Sequence, residues 1–355
     1  MSISDVVVIG GGQAGLATVR VALDAGLSPV LVDAGSGPGG SWPSYYDSLT
    51  LFSPARFSGL PGMPFPGDPD RYPRRDEVVA YLAAYAAGLD ADLRWGVRVD
   101  RVRRERDGFV VSTASGEEAR ARLVVAASGG FGRPHRPALP GLDSFAGTVL
   151  HSSQYRSPAL FVGRRVVVVG GGNSAVQIAV ELAETARVSI VTRDRLRWQP
   201  QRILGRDFHW WLSRTGLDTS RLGPLLANGG VPVIDAGRYR TAIAAGRPDH
   251  RPMFRRLDGD RVVWSDGSPE RLDGVILATG FRPDVAYLHG TAAVDGDGVP
   301  VHSGGVSRTV DGLGFVGLER QRSFASATLR GVGRDAAFVL RALNGARAGR
   351  RTVSR

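Results

Sequence analysis

Residues 5–15 read Asp5-Val6-Val7-Val8-Ile9-Gly10-Gly11-Gly12-Gln13-Ala14-Gly15, a short apolar run delivered into a glycine loop. A short β-branched run bounded by glycine is a strand signal. The apolar stretch over residues 16–25 has helical length, and a second apolar run, Pro29-Val30-Leu31-Val32, ends at Asp33. The order is strand, tight turn, helix, strand. The design returns 160 residues later. Residues 164–169 lead into Gly170-Gly171-Gly172-Asn173-Ser174-Ala175, then a helical stretch over 176–184 and a strand over 187–192 that ends at Arg193. Two copies of one such unit predict an α/β fold with two Rossmann-like domains.

Each glycine in a Gly-x-Gly-x-x-Gly turn has a task. The first (Gly10, Gly170) permits the tight turn, and the second (Gly12, Gly172) lets backbone approach a pyrophosphate. The third (Gly15, replaced by Ala175 in the second copy) allows helix and strand to pack closely. The helix start then offers unpaired N–H groups and a positive dipole end to phosphates. That places Gln13, Ala14, Asn173 and Ser174 at two phosphate cradles. One loop alone is weak support, but here each follows a strand and opens a helix. Asp33 lies 23 positions after Gly10, and Arg193 lies 23 positions after Gly170. Both stand where the adenosine ribose is read. A carboxylate accepts hydrogen bonds from an unmodified ribose, whereas a guanidinium pairs with a 2′-phosphate. The first loop is therefore expected to bind FAD and the second NADPH; the competing reading is two degenerate units that have lost their ligands.

The two units are expected to interleave. Residues 123–127 form an apolar strand ending in Ser128-Gly129-Gly130, and residues 274–278 form another ending in Thr279-Gly280-Phe281. Each delivers a small-residue turn where the chain crosses between domains. The layout expected is residues 1–155 as the first part of the FAD domain, 156–275 as the NADPH domain and 276–355 as the C-terminal part of the FAD domain. Strand pairs over 94–103 with 108–115, and 262–265 with 274–278, are expected to add small antiparallel sheets.

Composition narrows the chemistry. The chain of 355 residues contains no cysteine. Disulfides, iron–sulfur clusters, thiolate zinc sites and redox-active cysteine pairs are therefore excluded, leaving an organic cofactor or a metal held by histidine and carboxylates. The six histidines (His135, His151, His209, His250, His289, His302) lack metal-ligand spacing, so no metal is expected. The net charge of +11 rests entirely on arginine, spread through the chain apart from short clusters near residues 101–106 and 347–355. That pattern reads as a solvated surface with sites for cofactor phosphates, not as a nucleic-acid patch. No apolar run approaches the roughly 18 residues of a membrane span. A first strand starting near Asp5 leaves no room for a signal peptide. A cytoplasmic monomer or homodimer, with no membrane partner, is expected.

At this point the sequence resembles the class B flavin monooxygenases: flavin-containing monooxygenases, YUCCA-type enzymes and Baeyer–Villiger monooxygenases. Gly39-Gly40-Ser41-Trp42 is similar to the family's Gly-Gly-x-Trp, and Tyr46-Asp47-Ser48-Leu49 and Pro61-Gly62-Met63-Pro64-Phe65-Pro66 resemble YUCCA-type segments. Phe145-x-Gly147-x-x-x-His151-x-x-x-Tyr155 resembles the fingerprint of the flavin-containing and N-hydroxylating members. Baeyer–Villiger enzymes carry Trp at the last position, so Tyr155 argues against that branch. Ser128-Gly129 resembles the first crossover and Ala278-Thr279-Gly280-Phe281-Arg282-Pro283 the second. Gly314-Phe315-Val316-Gly317 leads into residues 323–332, where the resemblance implies a helix start, with Ser323, near the flavin. Where animal-type members place an Asn beside the flavin, this chain has Phe52-Ser53.

The resemblance implies that NADPH reduces FAD by hydride transfer, O2 adds to give a C4a-(hydro)peroxyflavin, and one oxygen atom passes to a small organic substrate: an amine, sulfide, 2-oxo acid or ketone. It implies cofactor contacts at Gly40, Ser41, Trp42, Ser128, Thr279, Gly280 and Ser323 beside the two glycine loops. His151 and Tyr155 are implied as hinge and positioning residues, and no side chain is assigned as catalytic because the flavin carries the chemistry. Arg197-Trp198 and Asp207-Phe208-His209-Trp210-Trp211 are read as substrate entrance or core. The competing activities are an NADPH:flavin oxidoreductase or oxidase without oxygen insertion, and Baeyer–Villiger ketone oxygenation. The disulfide-reductase branch needs a cysteine pair and is excluded.

Overall fold

The computed structural model describes residues 3–216 and 232–353. The first sheet is built on parallel strands β1 (Ser4–Ile9), β2 (Pro29–Val32), β3 (Asp92–Arg94), β6 (Glu118–Ala126) and β12 (Leu313–Phe315). They run in the order β12-β6-β1-β2-β3, with Val7 opposite both Val30 and Val124. Val6, Val7 and Val8 are wholly buried because both faces of β1 are covered. That is why this strand reads as a continuous apolar run and not as an alternation. One face is covered by α1 (Gln13–Asp24), α2 (Arg75–Ala87) and the last helix, α6 (Leu329–Val353). On the other face lie the antiparallel strands β4 (Val99–Glu105) and β5 (Gly108–Thr113), with the segment around Tyr287 and Leu288.

The second sheet contains β7 (Thr148–His151), β8 (Arg165–Val169), β9 (Arg187–Thr192), β10 (Asp249–Pro252) and β11 (Gly274–Leu277), all parallel, in the order β10-β9-β8-β11-β7. Helices α3 (Asn173–Leu182) and α5 (Arg238–Ala244) pack on one face. Phe145, Phe254, Leu257 and Trp264 fill the other. Strand β7 thus enters this sheet just before residue 156, and β11, at residues 274–277, spans the end of the stretch 156–275.

Two local expectations differ from the structure. Strand Arg261–Val263 pairs with Arg256–Asp258 and Pro269–Arg271, not with Gly274–Leu277. Val275, Ile276 and Leu277 have no accessible surface and lie centrally, between β8 and β7. Buried on both faces, such a run belongs in a parallel sheet, not at an antiparallel cap. The second difference is at the C terminus, where the helix starts at Leu329. Residues 323–328 form a turn in which Ser326 Oγ accepts from the backbone N–H groups of Arg322 and Ser323, both at 3.0 Å. This local side-chain bonding competes with a helical start there.

Candidate cofactor and active site

The two glycine loops carry the geometry their chemistry requires. Gly10 has φ +116°, and a Cβ there would stand 2.6 Å from the Ala127 carbonyl oxygen. A Cβ on Gly15 would stand 1.7 Å from the Gly10 carbonyl oxygen, so α1 rests directly on the end of β1. In the second loop Gly170 has φ +140°, and its Cβ would meet the Ala278 carbonyl oxygen at 2.2 Å. Helices α1 and α3 are capped by Gly12 and Gly172, neither with a side-chain cap hydrogen bond, and neither helix has an acidic residue in its first turn. Among the described residues their leading N–H groups have no side-chain acceptor, and a phosphate satisfies such groups. A Cβ on Gly172 would meet nothing within 4 Å, while one on Gly12 would reach Gly40 Cα at 3.6 Å. Both cradles fit a dinucleotide pyrophosphate, the first with Gly40 as a wall.

Asp33 closes its own loop. Its Oδ2 accepts from Gly11 N–H at 2.5 Å and its Oδ1 from Gly35 N–H at 2.7 Å. Each oxygen keeps a lone pair for a ribose hydroxyl. Arg193, at the equivalent end of β9, is exposed and makes no hydrogen bond or ion pair among the described residues. The preceding Thr192 is held in place: its hydroxyl donates to Asp194 O at 2.6 Å and lies 2.7 Å from His250 Nε2. The turn is thus anchored while its guanidinium stays free.

Gly39 N–H donates to Gly11 O at 3.1 Å, which folds Gly40, Ser41 and Trp42 over the first loop. Trp42 Nε1 donates to Gln13 Oε1 at 2.5 Å, and Gln13 Nε2 donates to Ala327 O at 2.7 Å. The Gln13 side chain therefore clamps three segments together, and only its backbone is left to the phosphate cradle. In the second loop the Asn173 amide reaches across to Pro232 O and Ile234 N. Ser323 lies buried in the turn before α6, the segment that Gln13 holds against α1. Gly317 is also pressed on α1, since a Cβ there would meet Ala14 Cβ at 2.6 Å.

The crossovers are tied to each other. Ser128 Oγ donates to Asp284 O at 2.9 Å, and Thr279 Oγ1 donates to His135 O at 2.5 Å. His151 is fully buried, with Nε2 3.0 Å from Gly280 O and Nδ1 accepting from Ser153 N–H at 3.1 Å. A carbonyl only accepts, so the Nε2 carries the proton. Burial pushes the His151 pKa below its ordinary value. Both nitrogens are engaged, which leaves the ring a tie between β7 and the second crossover and not a proton shuttle. Tyr155 is buried as well and donates to Glu181 Oε2 on α3 at 2.8 Å. Burial, then the bond to Glu181, pushes its phenol far above the usual range. Gly147 fits where it does because a Cβ would strike the Phe145 ring and Asp273 O, both at 2.6 Å. The fingerprint residues thus tie the second crossover, through His151, and α3, through Tyr155, to the segment around β7.

Sequence reasoning did not find a polar cluster around Asp207, the N-cap of α4 (Phe208–Thr215). Asp207 Oδ1 accepts from His209 N–H at 2.7 Å and lies 3.0 Å from His209 Nδ1. Its Oδ2 accepts from Tyr72 OH at 2.6 Å and Gln201 Nε2 at 2.7 Å. Gln201 Nε2 also donates to Phe52 O at 2.9 Å, and the His209 ring stacks on Phe52 with centroids 6.0 Å apart. Burial alone would raise the Asp207 pKa, but the bonds from His209, Tyr72 and Gln201 outweigh it and hold the carboxyl below its ordinary value. The Asp before an aromatic helical run was the only signal in the sequence. Trp211 Nε1 donates to Ile203 O at 2.9 Å, which gives that ring a structural partner. Among the described residues no cluster of three metal-ligating side chains occurs. No helix among them is long and apolar enough to cross a membrane.

Comparison with known proteins bears on this geometry. Residues 7–214 match the pyridine nucleotide-disulphide oxidoreductase family. A flavin-containing monooxygenase structure from Stenotrophomonas maltophilia is 34% identical, with a TM-score of 0.86 over 97% of this chain and 99% of that one. The chain belongs to this family, in its flavin monooxygenase branch. Indole-3-pyruvate monooxygenase YUCCA1 of Oryza sativa is 32% identical over 313 residues, 79% of this chain and 77% of that protein. The uncharacterized oxidoreductase CzcO-like of Geobacillus kaustophilus is 35% identical over 344 residues, 95% of this chain and 97% of that protein. The bacillithiol disulfide reductase of Staphylococcus aureus shares the fold alone, at 17% identity and a TM-score of 0.74. A flavin monooxygenase chain without cysteine has no means for cysteine-based disulfide chemistry.

Proposed function

We propose that this flavin monooxygenase holds FAD on the first loop and NADPH on the second, and inserts one atom of O2 into a small organic substrate. The bound flavin would supply the redox and oxygen-activating chemistry. The chain's own residues bind, orient and exclude water. N–H groups at Gly12, Gln13 and Ala14 take the FAD pyrophosphate, Asp33 its ribose, and Gly40, Ser41 and Trp42 wall the site. Ser128, Thr279 and Gly280 position the crossing segments, and Ser323 lies at the C-terminal edge. Gly172, Asn173, Ser174 and Ala175 form the NADPH cradle, with Arg193 for the 2′-phosphate. Gly10, Gly15 and Gly170 shape the loops.

The FAD domain on this reading takes residues 1–155 and 276–355, and the NADPH domain 156–275 with β7 and β11 completing its sheet. His151 and Tyr155 hold the two together. The protein is read as working in the cytoplasm on a soluble substrate, with no nucleic-acid partner.

The observation that carries the assignment is the contrast between Asp33, closed on its glycine loop, and Arg193, left free at the matching strand end. It is tested by turnover with NADPH under isotopically labelled O2 against a panel of sulfides, amines, 2-oxo acids and ketones. One labelled oxygen in a product supports the reading. NADPH consumed with only H2O2 formed, whatever substrate is offered, overturns it.

A further inference from the structure

We infer that Tyr72, Gln201, Asp207 and His209 form a latch between two chain segments, and are positioning residues that keep water from the flavin side of the site. The inference rests on the function proposed above. Tyr72 belongs to the long connection between β2 and β3, the same connection that lays Gly40 and Trp42 on the first glycine loop. Gln201, Asp207 and His209 come from the segment after β9, in the other half of the molecule. One carboxylate joins the two. Asp207 accepts four hydrogen bonds, three from its own segment and one from Tyr72 across the junction.

Phe52 is gripped twice by the same cluster. Gln201 Nε2 holds its carbonyl, and the His209 ring lies nearly parallel to its side chain, at an interplanar angle of 20°. The charge on Asp207 makes the bonds it accepts stronger than neutral ones, and Tyr72 supplies the one among them that crosses the junction. Gly40, Trp42, Phe52 and Tyr72 all belong to the connection between β2 and β3, so bonds at Phe52 and Tyr72 steady the connection whose Gly40 and Trp42 pack on the first glycine loop. Water excluded there is water that cannot drain an activated oxygen species as H2O2.

The test uses the full chain with flavin, as purified, and the variants Tyr72→Phe and His209→Phe. Tyr72→Phe removes one donor with little change of shape, and His209→Phe keeps the ring over Phe52 but loses the bond to Asp207. Hydrogen exchange followed by mass spectrometry should show residues 49–53 and 201–209 accelerating together, by about tenfold for loss of one charged hydrogen bond. The share of NADPH recovered as H2O2 should rise several-fold, while flavin content and the anaerobic rate of flavin bleaching by NADPH stay within twofold. Acceleration of one segment without the other would overturn the latch. Joint acceleration with an unchanged H2O2 share, or an equal fall in bleaching rate and flavin content, would reduce the cluster to a structural role and overturn the positioning claim. If the unaltered enzyme gave no oxygenated product, the proposed function would fall, while the exchange result would still decide whether the segments are latched.

Discussion

Replacing Gly15 with alanine adds a single methyl group at the place where helix and strand come closest. The Cβ would stand 1.7 Å from the Gly10 carbonyl oxygen, whereas real Cβ contacts essentially never fall below 3.0 Å. Relief requires α1 to move by roughly 1.3 Å, and displacements of about 1 Å are enough to disable a binding site. Movement is resisted because Leu16, Ala17 and Val19 are wholly buried against β1, α2 and α6. Overpacking of this kind costs about 1–3 kcal/mol. Gly15→Ala is expected to melt at lower temperature and to lose most of its bound FAD, read as the ratio of flavin to protein absorbance after purification with added FAD. The second loop provides the control, since Ala175 already occupies the corresponding position there. Ala175→Gly should cost only about 1 kcal/mol and leave FAD content unchanged. A Gly15→Ala protein with full flavin and an unaltered melting temperature would refute the reasoning.

Arg193→Ala should lower the preference for NADPH over NADH in kcat/KM by about ten- to hundredfold, from loss of a charge-assisted hydrogen bond of about 1.5–3 kcal/mol; equal use of both nucleotides by the unaltered enzyme would contradict the assignment. Thermal stability should fall as pH drops below about 6.5, the ordinary histidine value. Burial depresses His151, so the unfolded chain binds a proton that the folded chain refuses; the contribution is present above that value and lost as pH falls through the folded pKa. His250 and His302 are depressed by burial in the same sense, so His151→Gln should reduce the slope of melting temperature with pH without abolishing it. Tyr155→Phe, which leaves Glu181 without its 2.8 Å donor, should lower the melting temperature by about 2–4 °C, for roughly 1 kcal/mol, with FAD content unchanged.

The parts of the fold legible in the sequence are those set by local backbone chemistry. Glycine loops, the apolar runs before them and the residues closing the next strands can be read because each depends on a few consecutive positions. Strand β11 shows the limit. The run Val275-Ile276-Leu277 looks the same whether it caps a small sheet or fills the middle of a large one, and only its neighbours β8 and β7 decide. Gln13 shows another. Its side chain bonds Trp42 and Ala327, and Ala327 lies 314 residues away. The bond from Tyr72 to Asp207 spans 135 residues and leaves no periodic trace.

The most direct test of the central claim is rapid mixing of the anaerobically NADPH-reduced protein with O2, followed by absorbance. The account predicts that NADPH first bleaches a yellow protein. Oxygen should then produce a species absorbing at shorter wavelength than oxidised flavin, which persists until substrate is added. Immediate return of the oxidised spectrum on mixing, or a flavin that NADPH never bleaches, would contradict it.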